Sequence, residues 1–220
     1  MILFVDTEPR HNRDSRVSER LDAARTRLTY RLEDLAERPV HLVRYDRLSP
    51  ELFRQIEVEA IFVSGNSVAP ASFGAEADAL FELVANTERP TFGFCGGHQL
   101  IARALGVDSV PVVDGENTPT TESGYLPVDT TADHPLTQAI GQAAVFRQHH
   151  SWQVPSEPPG FVNMASTALS AVQMLVNEDR HMVTTQFHPE YWTSEHPAGA
   201  ALIRAFLEWS GVVSPGPAGA

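Results

Sequence analysis

The chain has 220 residues, 42% of them apolar, and a formal net charge of −12. That is enough material for one large or two small domains with a filled core, while so negative a balance repels phosphate backbones and anionic lipid, so neither nucleic acid nor a membrane is expected as a partner. A single cysteine rules out an internal disulfide framework, no window approaches the roughly 20 apolar residues of a spanning helix, and the opening "MILFVDTEPRHN" lacks the basic start and long apolar run of a signal peptide; a cytoplasmic protein is expected.

Apolar β-type runs alternate with segments of helical period, the pattern of a mainly parallel sheet covered on both faces. "MILFVD" reads as a buried strand, followed by a polar loop over 7–16. Over 17–37, Leu21, Ala24, Leu28, Leu32 and Leu35 recur at spacings of three and four, which predicts an amphipathic helix stopped before Pro39. "VHLVRYD" and "EAIFVSGNS" are the second and third strands, the latter running into a glycine turn, and "GAEADALFELVANT" is a second helix. "TFGFC" is a fourth strand, and "GHQLIARALG" has helical period with a stop at Gly106. The second half carries shorter runs, "YLPVD", "AAVFRQ", "FVNMAS", "AVQMLVN" and "HMVTTQF", parted by Asp, Pro, Gly and Asn turns, which predicts a smaller antiparallel region. "PAGAALIRAFLEWSG" gives a last helix, with Pro197 near its start and Gly211 past its end. With no internal repeat or linker, residues 1–211 are expected to form one domain, with 212–220 as a flexible tail.

The lone cysteine stands in "TFGFCGGHQL", at a strand-to-helix junction. Gly93, Cys95 and Gly97 form G-x-C-x-G, the thiol counterpart of the G-x-S-x-G nucleophile elbow. So sharp a turn needs neighbours without side chains, and a helix N-terminus behind the sulfur favours the thiolate and offers the Gly96 amide to an oxyanion. The alternative is a buried structural cysteine. Downstream, "TTQFHPEYW" places His188 and Glu190 two residues apart after another strand-like run. On an extended chain both face one way, so Glu190 can hold one ring nitrogen while the other serves Cys95 as proton shuttle. A plain turn after a strand is the alternative for this segment taken alone.

"GFCGGHQ" with a downstream "QFHPE" resembles the class I glutamine amidotransferases, the triad type of glutaminase domain. The pairing is more specific than either piece. "IFVSGNS" resembles that family's strand and Gly-rich oxyanion loop, "ESGYLPV" its Glu-x-Gly strand, and "QHHSWQV" the His-Ser segment of anthranilate-synthase glutaminases, so the likeness runs over about 2–209. It implies an open, flavodoxin-like α/β fold and hydrolysis of the side-chain amide of L-glutamine, or of a related γ-glutamyl amide, by Cys95, His188 and Glu190, with no cofactor and no metal. It further implies backbone oxyanion donors at Gly96, Gly65 and Asn66, and substrate contacts from Gln99, His150 and Ser151. Asn66 departs from the family's paired small residues and is expected to serve because asparagine tolerates positive φ.

Nothing in the chain looks like a synthase domain, so a separate ammonia-accepting synthase subunit is the implied partner. An autonomous hydrolase of γ-glutamyl amides or peptides shares the same motifs, and a non-catalytic glutamine-binding module is the third class. His98, His149, His150 and His188 do not read as a metal site, because adjacent histidines on a strand face opposite ways and no zinc-type spacing is present. "CGG" lacks the Gly-Lys-Ser/Thr of a P-loop. Trp152, Tyr191 and Trp192 read as core or rim, and the 7–16 loop as either a cover or a solvated segment.

Overall fold

The computed structural model describes residues 1–12 and 16–215, with the backbone alone over 16–18. Among these residues the order is β1 (Ile2–Asp6), α1 (Arg16–Ala36), β2 (Val40–Arg44), α2 (Pro50–Gln55), β3 (Ala60–Val63), α3 (Asp78–Asn86), β4 (Thr91–Phe94), α4 (Gly96–Ala104) and β5 (Val110–Pro111). The chain continues with β6 (Glu122–Thr130), α5 (Pro135–Ile140), β7 (Ala143–His150), β8 (Trp152–Gln153), β9 (Val162–Ser166), β10 (Met174–Asn177), β11 (Met182–Thr185) and α6 (Ala198–Trp209).

Nine strands make one sheet in the order β2-β1-β3-β4-β11-β10-β9-β6-β7. From β2 to β11 the neighbours are parallel; from β11 to β7 they are antiparallel. The expected antiparallel region is therefore an extension of the same sheet, while β5 and β8 pair apart from it. Because both faces are covered, β1, β3 and β4 are buried at every position and carry apolar side chains toward both. Ile2, Phe4, Phe62, Phe92 and Phe94 face a core shared with Leu28 and Leu32 of α1 and Leu202, Ile203 and Phe206 of α6. Leu3, Val5, Ile61 and Val63 face the opposite core, with Leu80 and Val84 of α3 and Leu100 and Ile101 of α4. The open α/β architecture expected from the alternation is borne out.

Two short helices are not visible in the periodicity. α2 is started by Ser49, whose hydroxyl accepts from Leu52 N at 3.2 Å, with Pro50 in the first turn. α5 is started by His134 in the same way, ahead of Pro135. Caps and prolines, rather than an apolar stripe, make them. The expected tail also begins too early: Val212 and Val213 are buried in the core, and their amides donate to the Leu207 carbonyl at 2.9 and 3.1 Å. Residues 216–220 lie outside the described ones. No helix among the described residues is long and apolar enough to cross a membrane.

Candidate active site

Parallel neighbours end on the same side, so β1, β3, β4 and β11 open onto one edge of the sheet, where ligands of such folds bind. β1 leads there to Thr7 and Glu8, β3 to residues 64–67, β4 to Cys95, and β11 to residues 186–190. Cys95 is the junction itself, with φ 51° and ψ −108°, a conformation that costs a non-glycine residue about 1–3 kcal/mol. It is held there because its N–H donates to the Thr185 carbonyl at 2.7 Å and its carbonyl accepts from Gln99 N at 3.1 Å. The glycines allow the approach: a Cβ on Gly97 would lie 2.9 Å from the carbonyl carbon of Val63, and one on Gly96 2.8 Å from the amide nitrogen of Asn66. Cys95 is buried at the N-terminus of α4, with the His149 carbonyl and Gln186 Nε2 each 3.9 Å from Sγ.

His188 follows β11, its N–H donating to the Arg147 carbonyl of β7 at 2.9 Å. Its Nδ1 lies 2.7 Å from Glu190 Oε1. The two side chains meet as expected, but not for the expected reason. Pro189 starts a 3-10 turn over Pro189–Tyr191, so the segment is not extended; the tight turn curls the Glu190 carboxylate back onto the ring. The His188 ring and the Cys95 side chain come together over Gly65, where a Cβ would be 3.3 Å from both Cys95 Cβ and His188 Cε1. Burial alone would lower the affinity of His188 for a proton. Negative charge on Cys95 and on Glu190, and hydrogen bonds to both, outweigh it and raise the imidazole well above its ordinary 6.5.

Asn66 does not use positive φ, which among the described non-glycine residues is confined to Glu37, Cys95, Asn117 and His181. Its side chain instead accepts from Val68 N at 3.2 Å, an Asx-type turn that needs no left-handed residue. Its backbone nitrogen packs on Gly96, so the two candidate amides are neighbours. Gln99 is buried, and its side-chain nitrogen donates to the Trp152 carbonyl at 2.9 Å and to Gln186 Oε1 at 3.2 Å. His150 Nε2 lies 3.0 Å from Glu122 Oε2, and Nδ1 lies 3.0 Å from the Trp152 carbonyl. Both thus brace the floor of the site. Ser151, more exposed, shares a hydrogen bond with Thr121 at 2.7 Å.

A cavity of about 780 Å³ takes in Cys95, His188, Glu190, Gly65, Asn66, Gly96, Gln99, His150 and Ser151. Tyr125, Arg147, Trp152 and Tyr191 wall one side, Phe4, Leu21, Ala24, Arg25 and Leu28 the other. All predicted site residues therefore line one space. Missed were Thr7 and Glu8, which sit buried against the 64–67 loop rather than solvated in their own, and Arg25. The one signal for Arg25 is its place on the apolar stripe of α1, four residues after Leu21 and three before Leu28, where a charge demands a buried partner. Among the described residues no group of three His, Cys, Asp or Glu is placed to hold a metal ion.

A family model described as glutamine amidotransferase class-I matches residues 21–209. One of the component chains of the glutamine-hydrolyzing GMP synthase of Sulfurisphaera tokodaii is 31% identical over 129 residues, 58% of this chain and 63% of that protein. The glutamine-hydrolyzing GMP synthase of Nitratidesulfovibrio vulgaris is 32% identical over 163 residues, 73% of this chain and 30% of that one. The chain thus spans less than two thirds of the length of these curated relatives. Among solved structures, a glutamine amidotransferase of Thermotoga maritima superposes with a TM-score of 0.71 over 96% of this chain and 97% of its own, at 13% identity.

Proposed function

Since the chain belongs to the class I glutamine amidotransferases, we propose that it hydrolyses the side-chain amide of L-glutamine and passes the ammonia to a separate synthase subunit. The observation that carries the reaction is the convergence of Cys95, His188 and Glu190, with Nδ1 and Oε1 2.7 Å apart in a cavity of about 780 Å³. The Cys95 thiolate attacks the carboxamide carbon, and the charge that develops on the oxygen is taken by backbone amides of Gly96 and of the loop carrying Gly65 and Asn66. His188, already protonated because its proton affinity is raised, gives that proton to the departing nitrogen as the C–N bond breaks and ammonia leaves. The neutral imidazole then takes a proton from water, the hydroxide cleaves the γ-glutamyl thioester, and glutamate departs as the thiolate reforms. Glu190 orients the ring and stabilises its charged form. Gln99, His150 and Ser151 shape the part of the cavity that receives the amino-acid end.

The separate acceptor is supported by a relative that is itself named as one subunit of a synthase. A single cysteine, free and buried, suits the reducing cytoplasm. The autonomous γ-glutamyl amide hydrolase is the second reading, favoured by one observation: the cavity has the size of a site for a drug-like ligand, and its apolar side would admit an amide larger than glutamine.

The test is glutamate release from L-glutamine by the purified chain and by Cys95→Ala, with and without the genuine acceptor subunit, γ-glutamyl amides being run alongside. Release that depends on Cys95 and rises with the acceptor is expected. Partner-free turnover of a γ-glutamyl amide above that of glutamine would favour the second reading. A Cys95 that resists a glutamine-analogue alkylator even with the acceptor present would sink both and leave a binding module.

A further inference from the structure

A buried charged cluster stands beside the site, and the chemistry above does not use it. Asp6 ends β1, Glu8 follows, and Arg25 reaches both from α1; their exposures are 4%, 0% and 5%. Arg25 Nε is 2.6 Å from Asp6 Oδ1, and Nη2 is 3.9 Å from Glu8 Oε2. The same Nη2 donates to the Gly65 carbonyl at 3.3 Å. That oxygen also accepts from Thr7 Oγ1 at 3.1 Å and Ser64 Oγ at 2.8 Å. Two residues on, Glu8 accepts from Ser67 N at 2.9 Å and from Ser67 Oγ and Asn12 Nδ2, each at 2.6 Å. The loop over residues 65–67 is gripped at both ends.

What holds the Gly65 carbonyl also sets the Asn66 N–H, because the two belong to one planar unit. There are no cis peptide bonds among the described residues, and in a trans peptide the C=O and N–H point in opposite directions. With the carbonyl turned to Arg25, Thr7 and Ser64, the N–H is turned away from them, and its nitrogen packs against Gly96 at the start of α4. A cationic donor on the carbonyl also polarises the peptide, which makes its N–H a stronger donor in a site of low dielectric. Removing such charges from water costs several kcal/mol per ion, so a purely structural role would be served as well by apolar residues.

We infer that Arg25, seated by Asp6 and Glu8, is a positioning residue for the oxyanion site, fixing and polarising the peptide between Gly65 and Asn66. This rests on the proposed glutaminase chemistry, in which the Asn66 N–H takes charge from the tetrahedral oxygen. The role belongs to the transition state, so the loss of Arg25 acts on kcat and spares ground-state binding.

The experiment uses the full chain with Arg25→Lys, Arg25→Met and Thr7→Val. Glutamate release is followed where there is turnover, together with the affinity for the γ-semialdehyde of glutamate, whose open form adds to Cys95 as a tetrahedral thiohemiacetal, and for glutamate itself, whose γ-carboxylate is planar. Arg25→Met and Thr7→Val are expected to weaken the aldehyde about tenfold or more and to lower kcat by a similar factor. KM and glutamate affinity stay within about twofold, and Arg25→Lys recovers part of the loss. Thr7→Val leaves the ion cluster whole and stands in if Arg25→Met does not fold. Variants that bind the aldehyde like the parent, or lose both ligands equally, overturn the inference. A parent chain that neither releases glutamate nor adds the aldehyde to Cys95 overturns the glutaminase assignment instead.

Discussion

His188 shows how burial and two neighbours decide one side chain's chemistry. Burial, the largest single influence, acts to discharge it, but negative charge on Cys95 and Glu190 and hydrogen bonds to both together outweigh it, and the imidazole keeps its proton well above pH 6.5. Glu190→Gln keeps the size of the side chain and removes the charge. Glutamate release is expected to fall on the order of 10² to 10⁴-fold in steady-state assays, and the alkaline limb of kcat/KM to move to lower pH. Stability carries the same signature. A raised basic group contributes fully below its unfolded value of 6.5 and loses that contribution as pH rises through its folded value. Thermal melts of Glu190→Gln should therefore decline less between pH 6.5 and the alkaline range than those of the parent, and parallel curves would refute the charge argument.

The turn over Pro189–Tyr191 that carries Glu190 is seated by two helices. From α1, Arg31 Nη1 donates to the carbonyls of Glu190 at 3.0 Å and Trp192 at 3.2 Å, its guanidinium stacked 4.2 Å over the Trp192 ring. From α6, Gly199 lets the turn in: a Cβ there would lie 3.0 Å from Pro189 Cα and nearer still to its carbonyl. Gly199→Val is expected to lift the turn and detach Glu190 from His188. The melting temperature should drop by several degrees, as overpacking of about 1–3 kcal/mol implies, and glutamate release by at least about tenfold. Full activity in a destabilised Gly199→Val would show that the seat and the dyad are independent. The sequence alone reads as extended here because "HPE" carries no period, whereas the turn is set by Pro189 together with what packs behind it.

At the scale of the whole molecule, the sheet buries titratable groups that set its acid limit. His98 is fully buried, its Nδ1 2.7 Å from Thr184 Oγ1, and burial, then the charge of His150, lowers it to about 3. Folding then contributes on the order of 5 kcal/mol above pH 6.5 that is lost as pH falls from 6.5 toward 3, because the unfolded chain binds the proton first. Glu122 opposes its own burial with hydrogen bonds from His150, Thr167 and Gln173, is lowered below 4.5, and adds to the loss in acid. His98→Gln should flatten urea-derived stability between pH 3 and 6.5, and an unchanged slope would assign the acid limit elsewhere. By itself, the sequence determined the apolar strands, the helix that starts behind Cys95, and the two-residue spacing that puts Glu190 within reach of His188, since these rest on period, on absent side chains and on short spacing, all of them local. Only the tertiary structure decided that Arg25 and Glu8 hold the Gly65 loop, that His150 meets Glu122, and that Asn66 takes its place in the loop without positive φ. Those contacts join residues far apart along the chain, up to 59 positions for Glu8 and Ser67, brought together by a strand order in which the ends of β1, β3, β4 and β11 share one edge. No local pattern along a chain encodes which strand lies beside which, because strand neighbours are chosen by the packing of the whole sheet.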